Sequence, residues 1–455
     1  MSTHETHDLP DAVHDGTMSR RDFAKKAVAL GASAATLGAL AQAGLRPAAA
    51  AATTITLWHG WTGADNTTTL NAVLDRFDHT SRGITVKPTA LQWDTLFSKW
   101  VIAAATGSPP DVTMYHVTEI AEYAKRGITR PIDDLIKGAG IDLTGLPAAA
   151  LRSVQYNGQT YAVPGDLHPL ALYYNVDMVR KAGLDPHKPP TTKDQFLHWA
   201  DRLTVRGPGG KVSQYGVYLP TTGGATGSAI PRWVWWSLLH QNGGSFLDRN
   251  GTSAVNSAAS RDALQFLVDL FNTYKVVTPG STGNGIDPVA AKRAAMWFIG
   301  PWEVNQRMQQ KLNFATAPMP VIGHKPATWA NSHCQSVSKQ RGGGNYEADA
   351  AFMKWFSENY AQPAKVVGVI PLNPAVRASK EFVDDPHYAY YKAFIPELDY
   401  AVVEPTIPQY TSIFSFGKPT PLITNIEAAL AGSKTVGQAL ADMKAGIDTQ
   451  LAQPF

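Results

Sequence analysis

From Thr54 onward the hydrophobic period of the chain alternates between two and three to four residues, and this rhythm constrains the fold more than any other feature. Thr54 to His59 (Thr-Ile-Thr-Leu-Trp-His) reads as a strand ending at Gly60. Asn66 can cap a helix whose apolar residues Leu70, Val73, Leu74 and Phe77 recur at helical spacing. Ser81-Arg82-Gly83 ends it, and Ile84-Thr-Val86 is the next strand. Trp93 to Ala105 is helical again, with Leu96, Trp100, Val101 and Ala104 on one face, until Pro109-Pro110 stops it. Asp111 to Tyr115 is a third strand, and Glu119 to Lys125 a helix closed by Gly127. Strand–helix–strand–helix order predicts an α/β lobe with a largely parallel sheet.

Beyond residue 160 the pattern changes. Tyr161–Pro164 and Ala171–Tyr174 are short strands, followed by mostly helical segments. The spacing predicts helices over Thr192–Leu203, Ile230–Gln241, Ser257–Tyr274, Val289–Met296, Pro301–Gln309, Tyr346–Asn359, Pro421–Leu430 and Thr435–Leu451. In the last of these, Val436, Ala439, Leu440, Met443 and Ile447 form the apolar face. Gly342-Gly343-Gly344 reads as a surface loop. No internal repeat is visible.

The first 52 residues carry a different message. Ser19-Arg20-Arg21-Asp22-Phe23-Ala24-Lys25-Lys26 reads as a twin-arginine export signal, followed by the small-residue stretch Ala27–Leu45 and several A-x-A sites within Ala48–Ala52. Ala27–Leu45 is mostly Ala and Gly, with Gln42, which makes poor membrane-spanning material. Cleavage would leave about 400 residues, enough for two or three cores of roughly 150 residues each. The expected location is the periplasm or the cell exterior. The chain carries a net charge of +3, which gives no argument for nucleic acid. Only 17% of residues are charged, against 12 Trp, 16 Tyr and 16 Phe, so some aromatics are expected on show rather than buried. The single cysteine, Cys334, excludes an intrachain disulfide and reads as a small buried hydrophobe.

A series of short motifs then falls in order along the chain. They are Ala103-Ala-Ala-Thr-Gly-Ser-Pro-Pro-Asp-Val112, Tyr123-Ala124 with Gly127, Pro131-Ile-Asp-Asp134, Tyr161-Ala-Val-Pro164 and Leu172-Tyr-Tyr-Asn175. Ala182-Gly-Leu-Asp185, Pro189-Pro-Thr-Thr192, Ala295-Met296, Gly300-Pro-Trp302 and Ile407-Pro-Gln409 follow. In this order and spacing the chain resembles the carbohydrate-binding extracellular solute-binding proteins of ABC importers, the group that includes maltose-binding protein. The resemblance runs from about Thr54 to Leu451. It implies an α/β periplasmic-binding-protein-like fold of two lobes joined by a three-segment hinge, with the ligand cleft between them. Crossings near Gly165, Lys325 and Lys380 would make residues 53–165 and 326–379 the N-terminal lobe, and residues 166–325 and 380–455 the C-terminal lobe. Such discontinuity lets two lobes close on a ligand without either unfolding. The ligand would sit beyond the carboxyl ends of the strands. A small-molecule sugar and membrane permease subunits are the implied partners, with a monomer expected and no cofactor or metal.

A sugar ring offers apolar C–H faces and a rim of hydroxyls, so its site needs flat aromatic surfaces with polar groups at their edges. His59, Trp61 and Thr62 leave the first strand, while Trp58 reads as core. Tyr115 and His116 leave the third, and Tyr115 matches an aromatic ligand contact of the family. Asp166 and His168 follow the first crossing, with His168 where the family often has an acidic sugar contact. Trp233 matches an aromatic platform. Trp233, Trp235 and Trp236 cannot all face one way on a helix, so one or two are core. Trp302 matches the stacking tryptophan of the family and Phe414 a further stacking aromatic. Trp329, Asn331 and His333 lie near the second crossing, and Arg377 is a candidate for an anionic group.

Two other readings compete. A secreted glycoside hydrolase needs two carboxylates facing each other across the scissile bond, and no local motif pairs Asp94, Asp111, Asp166 or Glu303 in that way. His-Glu-x-x-His and Gly-x-Ser-x-Gly are both absent. The second alternative keeps the fold and binds an anionic polyol phosphate, using Arg377 and the helix start near Asn66.

Overall fold

The computed structural model describes residues 53–81, 83–220, 224–278, 287–340, 343–415 and 419–454. The export signal, its Ala27–Leu45 stretch, Arg82 and Gly342 lie outside the described residues. Among the described residues, no helix is long and apolar enough to cross a membrane. Thr53 and Thr54 belong with Asp78–Val86 to a small unit of their own. Within it Thr53 N–H donates to the Gly83 carbonyl (2.7 Å) and Val86 N–H to the Asp78 carboxylate (3.0 Å). The remainder of the fold concerns Ile55–Phe77 and Lys87 onward.

Among the described residues, three larger sheets organise the fold beside a two-stranded ribbon, Gln155–Tyr156 with Gln159–Thr160. The first uses β1 (Thr53–His59), β2 (Ile84–Ala90), β3 (Val112–His116), β4 (Val163–Pro164) and β12, the strand His333–Val337. A linking sheet uses β5 (Asp166–Pro169), β11 (Thr328–Asn331), β13 (Ile370–Pro371) and β14 (Ala401–Val403). The second large sheet uses β6 (Ala171–Asn175), β7 (Val205–Arg206), β8 (Val212–Tyr218), β9 (Ala294–Ile299) and β10 (Phe314–Ala317). The spatial orders are β2-β1-β3-β12-β4, β13-β5-β11-β14 and β10-β6-β9-β8-β7. The chain leaves the first sheet at Pro164, runs through β5 and enters the second at Ala171. It returns from β10 through β11 and turns at Ser332 into β12.

The sheets are mixed, which corrects the expectation of a largely parallel one. β1 and β3 pair in parallel, but β12 runs antiparallel to both β3 and β4. In the second sheet β8 and β9 are parallel, while β6 is antiparallel to β9 and β10. The returning strand comes from a distant part of the chain, so nearby strand–helix rhythm could not reveal its direction.

The helical pattern translates into packing. In α1 (Ala64–Thr80), Leu70, Val73, Leu74 and Phe77 are all buried. The helix starts two residues before Asn66, which therefore sits in its first turn rather than capping it. α2 (Trp93–Thr106) ends on Gly107 in a left-handed conformation and buries Leu96 and Trp100. Trp100 packs edge-on against Tyr115 (5.0 Å) and Tyr123 (4.8 Å), and its indole N–H donates to Ser338 Oγ (3.0 Å). Cys334 is buried in this same cluster, as expected. α3 (Gly224–Gln241) starts earlier than expected and contains Pro231, and α4 (Ala258–Asn272) packs on it. α5 (Ala361–Val367) and α6 (Pro421–Leu430) follow. α7 (Val436–Leu451) opens on a Thr435–Gln438 capping box and buries the five predicted apolar residues.

One predicted helix is wrong. Val289–Met296 was expected to be helical, but Ala294–Ile299 is the strand β9, buried along its whole length. A strand covered on both faces shows a continuous apolar run, which periodicity does not separate from a buried helix. The expectation that some aromatics are on show holds for few of them at the outer surface. Among the described residues, Tyr274 is the one aromatic with an exposed side chain, at 37% relative exposure. The other described aromatics are buried or half-buried, and Trp93 and Trp302 are among the half-buried ones that line one cavity.

Candidate functional site

Where β1 and β3 of the first sheet and β9 of the second end, the chain leaves a cavity of about 470 Å³. Its walls come from Gly60, Trp61, Thr62, Gly63 and Asn66 after β1, from Gln92, Trp93 and Asp94 at the start of α2, and from His116 at the end of β3. His168, Asn331 and His333 enter from the linking strands and β12, Trp233 from α3, and Trp302 and Trp329 from either side. Val367 and Val369 complete it. The size suits a small-molecule site, since such pockets span roughly 300–1,000 Å³.

Strand register makes the polar floor. Antiparallel pairing sets His333 directly opposite His116, and Asn331 directly opposite His168. Opposed residues on one sheet face have Cβ atoms about 5 Å apart. The His116 and His333 rings lie 5.0 Å apart, and His168 and His333 4.8 Å apart. Beneath them Asp166 is fully buried. Its Oδ1 meets His168 Nδ1 at 2.8 Å and its Oδ2 meets His333 Nδ1 at 2.8 Å. The His333 N–H and the Tyr360 hydroxyl donate to the same carboxylate. Burial by itself would raise the Asp166 pKa, but the two histidines and their hydrogen bonds hold it far below the usual carboxylate range. Burial lowers His168 despite the pull of Asp166, and it lowers His116 well below the ordinary imidazole value, helped by its two histidine neighbours.

The aromatic walls are set by close approach to glycine. A Cβ on Gly60 would fall 2.1 Å from the Trp93 ring, and one on Gly300 would fall 1.8 Å from the Trp302 ring. Only glycine lets these indoles lie flat over the main chain. Trp233 stacks on Trp329 at 4.2 Å with 25° between planes. Trp302 stands perpendicular to that pair and to His168. Trp93 lies 4.3 Å from His116 and parallel to His333 at 5.5 Å.

Trp61, Thr62, His116, His168, Trp233, Trp302, Trp329, Asn331 and His333 thus meet at one cavity. The other candidates lie elsewhere. Tyr115 points into the core, where its hydroxyl bonds Ser336 (2.9 Å), because successive strand residues face opposite ways and His116 takes the cavity side. His59 is buried and outside the lining, and burial takes its pKa down to about 4. Asp166 supports the lining histidines from behind. Phe414 is buried against Tyr410, Phe246 and Trp236, and its carbonyl accepts a hydrogen bond from Arg232. Arg377 lines a separate surface hollow with Lys392 and Asp399, and its guanidinium donates to the Pro371 and Leu372 carbonyls. Trp235 and Trp236 are core, as the helix geometry required of at least one. Trp93 and Gln92 escaped prediction because Trp93 reads as the first residue of an amphipathic helix; the glycine at position 60 was its only local sign.

Two α/β lobes, linking strands between them and an aromatic cavity at the strand ends define a protein that captures a small solute. The chain belongs to the bacterial extracellular solute-binding protein family, which its residues 60–397 match. It is a binding protein and not an enzyme. It has the fold of a cyclic alpha-maltosyl-1,6-maltose binding protein from Arthrobacter globiformis, with a TM-score of 0.73 and 22% identity over 88% of this chain and 99% of that one. A binding protein of Brucella abortus (strain 2308) is 24% identical over 74% of this chain and 80% of its own length. A maltotriose-binding protein of Pyrococcus abyssi is 24% identical over 63% of this chain and 59% of its own. An sn-glycerol-3-phosphate-binding periplasmic protein of Escherichia coli is 30% identical, but over 35% of this chain and 37% of its own.

Proposed function

We propose that this is the substrate-binding protein of an ABC importer, which takes up a neutral mono- or oligosaccharide by lobe closure and hands it to a membrane permease. The observation that carries this reading is the composition of the cavity wall. Five tryptophans, Trp61, Trp93, Trp233, Trp302 and Trp329, surround it with polar groups at their edges, and no Lys or Arg is among the lining residues described. Flat faces suit sugar C–H surfaces, and Asp94, Asn331, Gln92 and Thr62 supply hydrogen-bonding groups. The Trp61 indole N–H is buried without a hydrogen-bond partner among the described residues. A hydroxyl of the ligand would satisfy it, removing a cost of roughly 1–3 kcal/mol. The names of the sugar-binding relatives agree with this choice.

In this reading residues 1–52 are a twin-arginine signal and the mature protein works outside the cytoplasm as a monomer. The N-terminal lobe is residues 53–165 and 326–379, and the C-terminal lobe residues 166–325 and 380–455. A second reading, an anionic polyol phosphate, rests on the start of α1 at the cavity edge, where Gly63 and Asn66 line it. Arg377 no longer supports it. A thermal-shift screen of the mature chain decides between them. Ligands that bind only the folded state raise Tm in proportion to log concentration once above Kd. A saturable shift with an unmodified saccharide is the expected result. A shift with phosphorylated polyols alone would replace the proposal by the second reading.

A further inference from the structure

We propose that His116, His168 and His333 form a binding site for one divalent transition-metal ion of zinc type, on the floor of the cavity, with an open coordination position facing it. Each histidine offers a ring nitrogen, and the three nitrogens lie within 4.8 Å of one another; His168 and His333 are buried and His116 half-buried. Tetrahedral coordination at about 2.0–2.1 Å per nitrogen separates imidazole nitrogens by about 3.4 Å, so closing the triad takes ring rotations of the order of an ångström. The residues are 52 and 165 positions apart in sequence (168 − 116 and 333 − 168), so no motif spacing announces them. The pairing of β12 with β3 brings His333 to His116, and the passage of β5 below brings His168.

Asp166 supplies what ligating histidines need behind them. It holds His168 and His333 through Nδ1, which places the N–H there and leaves Nε2 as the lone-pair nitrogen on each ring. Three nitrogen donors with no sulfur suit zinc, copper or nickel rather than calcium or magnesium. Cys334, next to His333 in the sequence, is buried in the aromatic core cluster and takes no part. Three neutral imidazoles and one ionised carboxylate leave a net positive charge on a bound divalent ion. The open position would therefore favour an oxygen donor on the cargo, a carboxylate or a pair of vicinal hydroxyls. The site is independent of the saccharide reading, because the ion binds whether or not the cargo is a sugar.

The test uses the untagged mature chain, stripped with a chelator. Zinc is titrated by calorimetry and cobalt(II) by visible absorption. Uptake of one zinc per chain with micromolar or tighter Kd is expected, with the intense ligand-field bands of four-coordinate cobalt. His116→Gln and His333→Gln should each weaken zinc binding by about thirtyfold or more. No uptake below millimolar zinc, weak bands of six-coordinate cobalt, or unaltered affinity in folded variants would each overturn the proposal. Near-UV circular dichroism establishes whether each variant is folded, and the wild-type cobalt spectrum decides the question without any substitution.

Discussion

Replacing Gly300 with alanine asks whether the cavity depends on where the Trp302 indole lies. The added Cβ would stand 1.8 Å from the ring, whereas carbon atoms rest at about 3.5–4.0 Å. The ring must therefore retreat by about 2 Å. It cannot do so by moving its backbone, because Gly368 is packed so closely that a Cβ there would fall 2.6 Å from Trp302 Cα. Rotation of the side chain is the remaining route, and it turns the indole face away from the ligand. A buried aromatic covers about 150–250 Å², so one face gives roughly 60–80 Å² to a stacked ring. At about 25 cal/mol per Å² that is roughly 1.5–2 kcal/mol, or a ten- to thirtyfold rise in Kd. Calorimetry with the saccharide that gives the largest thermal shift measures it, with Trp302→Ala, expected to lose at least about tenfold, as the companion. A folded Gly300→Ala protein that binds within threefold of wild type would refute the reasoning.

Three further outcomes are expected. Asp349 is buried with neither carboxylate oxygen hydrogen-bonded among the described residues, and burial, with the charge of Asp111, raises its pKa to about 7. Its folded pKa exceeds the unfolded value of about 3.9, so its charge destabilises the fold as pH rises from about 4 to 7. Asp349→Asn should consequently raise the unfolding free energy more at pH 8 than at pH 5, by a few kcal/mol at most, and an equal effect at both in urea unfolding would disprove this. Asp166 has the opposite sign: its depressed folded pKa gives stability that is present above about pH 4 and lost on acidification. Asp166→Asn should destabilise by about 3 kcal/mol at pH 7 in urea unfolding and flatten the acid limb, and a steep limb retained in the variant would point to other groups. Arg232 and Glu404 form a fully buried pair at 3.3 Å, with the Tyr410 hydroxyl donating to the same carboxylate at 2.6 Å. Arg232→Met leaves that carboxylate uncompensated and should cost about 3–5 kcal/mol, whereas the double change Arg232→Met with Glu404→Leu should recover most of it.

Much of this protein is legible along the chain. Hydrophobic period placed α1, α2 and α7, because each buries one stripe against a neighbour, and turn residues marked their ends. Trp302 and Trp61 were found because each sits in a short motif at a strand end, Gly300-Pro-Trp302 and Trp58-His59-Gly60-Trp61. Local patterns failed where burial is two-sided, as in β9, and where neighbours in sequence take opposite sides of a strand. Tyr115 and His116 look equally eligible until the register of β3 assigns one to the core and the other to the cavity. Arg377 and Phe414 sit beside plausible motifs, yet their segments pack away from the cavity. Asp166, His168 and His333 became a unit only when β5 and β12 were paired, since the sequence holds them up to 167 positions apart. The sequence by itself determined the one-sided helices such as α1, α2 and α7, because one-dimensional periodicity suffices where a single face is buried. The tertiary structure decided which side chains share a cavity, because that depends on the direction and register of strands brought together from distant parts of the chain.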